Sequence, residues 1–286
     1  MGTLHMSPRN APRHRPSPRT LPPLPDRHVL YEDSVQNADT ELDLAEQLLA
    51  RHGQPALRLR EDFSGTALLS GTWVGRDRCR TAVAVDLDPA PHDWARRNRI
   101  PELGDAAERI ALVKADVRHG PLMGFDLVLA LNFSWQVLQT RGEVLDWLAN
   151  VRKALAPGGL LMMDLFGGWL SQQRRTEKRR VGGGVTYLWE HVDFNPIDSR
   201  IHCAIHFEFK DGRRLRNAFT YDWRLWTPRE LTDLLAEAGF TDVEVLWDVA
   251  PPRAEPRYLP RQKAENIPGW LAHVVARRPA GRSDRR

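Results

Sequence analysis

The chain has 286 residues, enough for one large α/β domain or two small ones around a sizeable buried core. Its two cysteines, Cys79 and Cys203, exclude a disulfide framework, and no stretch has the pattern of a secretory leader or a membrane span. Composition therefore points to a reduced, cytoplasmic protein without a membrane partner.

The formal net charge of +4 is a property of the ends. Residues 1–28 carry five arginines against Asp26, and residues 277–286 carry five arginines against Asp284, so each end holds +4 and the body between them −4. A mildly acidic body does not suit a nucleic-acid surface, and the basic ends are expected to be solvated tails. Residues 1–28 are also dense in proline, which blocks helix and ladder alike, so they are expected to be disordered, as are residues 279–286.

In chain order, structure is expected to begin near Tyr31. A first helix starts at Asp39-Thr40 and stops at Gly53. A strand at residues 57–59 runs into the turn EDFSGTA, whose glycine lets backbone approach a ligand and whose following helix start offers free amides. Residues 81–85 form a continuous apolar strand of the kind buried on both faces of a parallel sheet, ending at Asp86, 21 residues after Gly65. An acid at that spacing is placed to hold a ribose hydroxyl pair.

A helix over residues 89–98 follows, then strands at 109–113 and 125–131. Thr140 and Glu143 have capping-box spacing for a helix over residues 141–155, which Ala156-Pro157-Gly158-Gly159 ends ahead of a strand at 160–165. Strands alternating with helices predict a doubly wound, mostly parallel sheet that binds ligands at the carboxyl ends of its strands. Glu61, Asp86, Asp116, Asn132 and Asp164 all fall at such ends.

The pattern then changes. Residues 185–194, 200–210 and 214–226 alternate polar with apolar or aromatic residues, as an antiparallel meander does. Thr227-Pro228-Arg229-Glu230 opens a last helix ending at Gly239, and strands at 242–247 and 271–276 close the domain around a proline-rich loop at 251–268.

With EDFSGTA, VAVDLD, KADV, FDLVLALNFSW, LAPGGLLMMDL and TPRELTDLLAEAGFTDVEV in this order, the chain resembles a class I S-adenosylmethionine-dependent methyltransferase over roughly residues 29–278. The resemblance implies a seven-stranded sheet whose last strand is antiparallel, with the meander inserted before the last helix to cover the acceptor. It also implies S-adenosylmethionine as cofactor, held by Glu61, Asp62, Phe63, Ser64, Gly65 and Thr66 in the turn, by Asp86 and Leu87, by Asp116 and Val117, and by Asn132. In the family's turn, D-x-G-x-G-x-G, Glu61 stands for the acid, Phe63 and Ala67 replace the outer glycines, and Asp62 is the alternative acid.

Methyl transfer from a sulfonium is an in-line displacement that positioning and desolvation can accelerate without a catalytic dyad. The expected acceptor is a small molecule. Tyr187, Trp189, Tyr221, Trp223, Trp226 and Trp135 are candidates for its pocket, against the plainer expectation that most of them fill a core. His191, His202, Tyr187 and Trp135 are the candidates for a part in the chemistry. His202, His206 and Glu208 share a strand face, which a solvated outer face explains without a metal. Arg174, Arg175, Lys178, Arg179 and Arg180 are expected to be a solvated helix end, with a lid for an anionic acceptor as the alternative. Two other functions fit less well: an RNA or protein methyltransferase that uses the basic tails, and a noncatalytic cofactor-binding regulator.

Overall fold

The first described element is set by a cap. The Asp26 side chain accepts the His28 N–H at 2.7 Å and starts α1 (Arg27–Val35). This computed structural model describes residues 22–251 and 254–280. The helix begins ahead of the boundary expected at residue 29; residues 1–21 and 281–286, where disordered tails were expected, lie outside the described residues. A second helix, α2 (Ala38–Arg51), follows almost at once and buries Leu42, Leu48 and Leu49.

The main sheet is built from β1 (Arg58–Asp62), β2 (Thr81–Asp86), β3 (Ile110–Lys114), β4 (Phe125–Ala130) and β5 (Leu155–Gly167), interleaved with α3 (Leu68–Arg76), α4 (Pro89–Asn98) and α5 (Arg141–Ala154). These five strands are parallel and lie in the order β5-β4-β1-β2-β3. Alternate side chains of each strand feed two apolar layers. Leu127 and Leu129 pack with Leu42, Leu49 and Trp73 on the α2–α3 side, whereas Val128 and Ala130 pack with Trp147 and Leu148 on the α5 side. Both faces are covered, so the central strand β4 is buried along its whole length and apolar but for Asp126, whereas β1 carries the buried charges Arg60, Glu61 and Asp62. The expected capping box of α5 is present, with Thr140 and Glu143 each bonding the other's backbone.

After the four-stranded sheet described below, α6 (Pro228–Glu237) carries a second capping box at Thr227 and Glu230. It leads to β10 (Thr241–Asp248), β11 (Tyr258–Pro260) and β12 (Trp270–Arg277). The last strand runs antiparallel to both β5 and β10, as expected. The sheet has eight strands rather than seven, because part of the expected loop at 251–268 pairs with β10 as the short edge strand β11. Pro260 is tolerated there because an edge strand has a side with no ladder to serve.

The second sheet consists of β6 (Arg175–Arg180), β7 (Val185–Asn195), β8 (Arg200–Phe209) and β9 (Arg214–Arg224), all antiparallel. It has one strand more than the expected meander. The basic run is that extra strand, not a helix end, and its charges suit an exposed edge. Period-two alternation divides the sheet's faces. Arg175, Glu177 and Arg179 lie in register with His191, Trp189 and Tyr187 on one face, while Lys178, His206, Glu190 and Glu208 occupy the other. Among the described residues no helix is long and apolar enough to cross a membrane.

Candidate active site

The link from β1 to α3 is held by backbone geometry. Phe63, Gly65 and Ala67 have φ of 57°, 53° and 56°, so the left-handed turn survives although only one of the three positions is glycine. The two side chains that replace glycine each cost about 1–2 kcal/mol in that region. Packing offsets part of this: Ala67 is fully buried and the Phe63 ring lies 5.7 Å from that of Trp147. Gly65 donates its N–H to Asp86 Oδ2 at 2.8 Å, and Asp86 Oδ1 accepts the Asp88 N–H at 2.9 Å. A Cβ built on Gly65 would meet nothing within 4 Å, so the glycine looks out on open space.

Glu61 is 3% exposed. Its Oε2 accepts both the N–H and the hydroxyl of Ser70, at 2.9 and 2.5 Å, which leaves Oε1 for a ligand. Burial raises its carboxyl to about 7. On the next strands, Asp164 Oδ2 and Oδ1 accept the N–H groups of Asn132 and Phe133, each at 2.8 Å, and burial raises this carboxyl to about 7 as well. Those bonds hold Asn132 and Phe133 at φ of 58° and 60°, in a turn that carries the chain from β4 past the sheet's carboxyl edge.

A cavity of about 380 Å³ opens along this edge. Glu61, Asp62, Phe63, Ser64, Gly65, Thr66, Asp86 and Asn132 of the expected cofactor residues line it, beneath a roof from His28, Tyr31, Gln36 and Phe219. Glu32 of α1 ties that roof to the turn by bonding both the Thr66 hydroxyl and Arg99. Three expected residues are not in the lining. Leu87 is 63% exposed, Val117 is buried in the core, and Asp116 is paired with Arg118 at 2.6 Å. Asp62 also reaches the wall, but Arg60 and the Trp147 indole N–H occupy its carboxylate.

A second cavity, of about 480 Å³, shares Tyr31, Asn132, Tyr221 and Trp223 with the first. Tyr187, Trp189 and Ile205 line its far side, with Glu177 and Arg179 from β6. Four of the six candidate aromatics therefore line a cavity, and all four also pack in or against the second sheet's apolar clusters, Trp223 being 2% exposed. The other two do not: Trp135 is fully buried, stacked 6.3 Å from Trp147 with its N–H on the Asp164 carbonyl, and Trp226 packs beside it.

The histidine candidates fall elsewhere. His191 is 5% exposed, accepts the Trp189 indole N–H at 2.7 Å and lines a smaller cavity of about 190 Å³ that shares Phe133, Glu177 and Trp189 with the second; burial lowers its pKa. His202 bonds Asp193 at 2.6 Å on the solvated face, and His206 bridges Glu190 and the Asn217 N–H. Neither reaches the two shared cavities. Of the four residues proposed for the chemistry, only Tyr187 lines the second cavity.

Sequence reasoning missed Arg60, Glu32 and His92. Arg60 is fully buried and bonds Asp62, Asn150 and the carbonyls of Val117 and Pro121. An arginine inside an apolar strand, two residues before an acid, was a usable signal, since a buried charge needs a partner. His92 meets the Ser64 hydroxyl at 2.9 Å, and nothing in its local sequence marks that contact.

No protein-family model and no curated protein matches the sequence. Solved structures do match the fold. An S-adenosylmethionine-dependent methyltransferase from Clostridium acetobutylicum superposes with a TM-score of 0.67 at 15% identity, over 89% of this chain and 98% of its own. The chain has the fold of S-adenosylmethionine-dependent methyltransferases. An amino pentose methyltransferase from Micromonospora echinaspora, involved in calicheamicin biosynthesis, matches with a TM-score of 0.64 at 18% identity, over 91% and 99% of the two chains. The CcbJ methyltransferase from Streptomyces caelestis matches at 0.62 and 16% identity, over 82% and 93%. In this methyltransferase fold the four-stranded sheet stands over the carboxyl edge of the main sheet, where both cavities lie.

Proposed function

We propose that the protein transfers a methyl group from S-adenosylmethionine to a small-molecule acceptor. The observation that carries this reading is that the two cavities adjoin, with Tyr31, Asn132, Tyr221 and Trp223 in the lining of both. The residues fit the cofactor's chemistry. Glu61, a buried carboxylate with one oxygen uncommitted, suits the methionyl ammonium. Asp86, at the end of β2, suits the ribose hydroxyls. The open side of Gly65 lets backbone approach between them.

When bound, the cofactor supplies an activated methyl group on a sulfonium. The chain's own contribution is placement. The glycine turn and Asp86 fix one reactant and the ring-lined cavity fixes the other. The neighbouring amino pentose enzyme acts on a small molecule, and the second cavity here has the volume for one. Calorimetry with S-adenosylmethionine and S-adenosylhomocysteine tests the reading. Binding at micromolar concentration is expected, and no heat at millimolar ligand would overturn it.

A further inference from the structure

The turn after β1 carries two hydroxyls, Ser64 and Thr66, and Thr66 donates its own to Glu32. The Ser64 N–H donates to the Val85 carbonyl at 3.0 Å, and the Ser64 carbonyl accepts the Ala67 N–H at 2.8 Å. Between them the Gly65 N–H is held by Asp86. Both backbone groups of Ser64 are therefore engaged, which fixes the residue in the cavity wall at 2% exposure. Its hydroxyl is the side-chain donor that the turn has left for a ligand.

His92, the fourth residue of α4, governs where that hydroxyl points. The ring is 1% exposed, its Nε2 stands 2.9 Å from Ser64 Oγ, and its Nδ1 is buried without a partner among the described residues. Burial lowers its pKa against the opposing pull of Asp86, Asp88 and Asp93, so the ring is neutral and carries one N–H. A proton on Nδ1 would leave a buried N–H unbonded and draw the Ser64 proton onto Nε2. A proton on Nε2 is donated to Ser64 Oγ, leaves only a lone pair unbonded at Nδ1, and frees the Ser64 proton to face the cavity. Unbonded N–H groups are the rarer of the two in protein interiors, which favours the second arrangement.

We propose that His92 is a positioning residue of the cofactor site, whose Nε2–H donates to Ser64 Oγ and turns the Ser64 hydroxyl toward an oxygen of the bound cofactor, on its ribose or its methionyl carboxylate. This rests on the methyltransferase reading above. His92 keeps its proton throughout and acts by fixing the donor before the cofactor arrives. A freely turning hydroxyl would have to be ordered on binding, so the effect is on affinity.

Calorimetry with S-adenosylhomocysteine tests the pair. Ser64→Ala should weaken binding about fivefold, as loss of one hydrogen bond does. His92→Leu should weaken it about threefold, and the double variant no more than Ser64→Ala alone, because His92 then has nothing to orient. His92→Gln, which keeps an N–H donor, should bind within about twofold of wild type. Nitrogen NMR of the wild-type ring, assigned by comparison with His92→Gln, should find the proton on Nε2. Methylthioadenosine, which has the ribose and lacks the amino-acid end, separates the two oxygens: Ser64→Ala weakens it in parallel with S-adenosylhomocysteine for the ribose, and leaves it unchanged for the carboxylate. A proton on Nδ1, unchanged S-adenosylhomocysteine affinity in Ser64→Ala, or losses that add in the double variant would overturn the assignment alone. Wild-type protein that fails to hold S-adenosylhomocysteine would defeat the methyltransferase reading and this assignment with it.

Discussion

The Gly65 N–H donates to Asp86 Oδ2 at 2.8 Å, so the acid at the end of β2 both anchors the turn after β1 and faces the cavity. Its other oxygen accepts the Asp88 N–H. Asp86→Ala removes both acceptors at once. Charge-assisted bonds of this kind contribute about 2 kcal/mol each, so urea unfolding should show a loss of about 2–4 kcal/mol. S-adenosylhomocysteine affinity should fall at least tenfold. Unchanged affinity would show that Asp86 serves the turn and not the ligand.

The two buried carboxyls set a pH dependence whose sign can be worked out. Glu61 and Asp164 are raised to about 7 by burial, whereas an unfolded carboxyl titrates near 4. Their stabilisation is full below the unfolded value and is lost as pH rises through the folded one. The ligand-free melting temperature should therefore fall between about pH 4 and 7, with a smaller slope in Glu61→Gln. A ligand ammonium favours the carboxylate, so S-adenosylhomocysteine should bind more tightly as pH rises through 7. A flat wild-type binding profile would remove Glu61 from the ammonium.

Much of the main sheet was legible because its signals are local and agree with one another. VAVD reads as a strand buried on both faces, and the Thr140–Glu143 and Thr227–Glu230 pairs read as helix starts. RTEKRR did not read as a strand because an edge strand's charges erase the apolar alternation. Phe63 and Ala67 hid a left-handed turn that Asp86 and the core enforce from elsewhere. The division of the aromatics between cavity and core was not legible either. Trp135 and Trp223 are both buried, and only Trp223, on the second sheet, also lines the cavities.

That separation is measurable. Trp135 stacks on Trp147 with no exposed surface, so Trp135→Ala should cost about 3–5 kcal/mol in urea unfolding, as large-to-small core changes do. At temperatures where the variant is folded, S-adenosylhomocysteine affinity should stay within threefold of wild type. A stable variant that had lost ligand binding would return Trp135 to the site.

His202 should matter to neither activity nor binding. Its bond to Asp193 raises its pKa, so the pair's stabilisation is present below the ordinary histidine value and is lost as pH rises through the raised one. The His202 side chain is 48% exposed, which limits that stabilisation to under about 1 kcal/mol. His202→Ala is expected to leave S-adenosylhomocysteine affinity within twofold and to shift the melting temperature only slightly at pH 6. A tenfold loss of affinity would contradict the placement of the second sheet's faces.

Arg60 offers the sharpest contrast between a charge that holds the site and one that touches the ligand. It is fully buried, bonds both oxygens of Asp62, and reaches the Val117 and Pro121 carbonyls and Asn150, so it ties β1 to the segment after β3. Arg60→Met strands the Asp62 carboxylate in the interior with the Trp147 indole as partner, at a cost of about 3–5 kcal/mol. Replacing both charges, Arg60→Met with Asp62→Leu, removes the uncompensated carboxylate and should recover part of that loss. Urea unfolding of the three variants, with Asp62→Leu as the third, gives the coupling directly. If the double variant is no more stable than Arg60→Met, the arginine acts through the Val117–Pro121 carbonyls and not through Asp62.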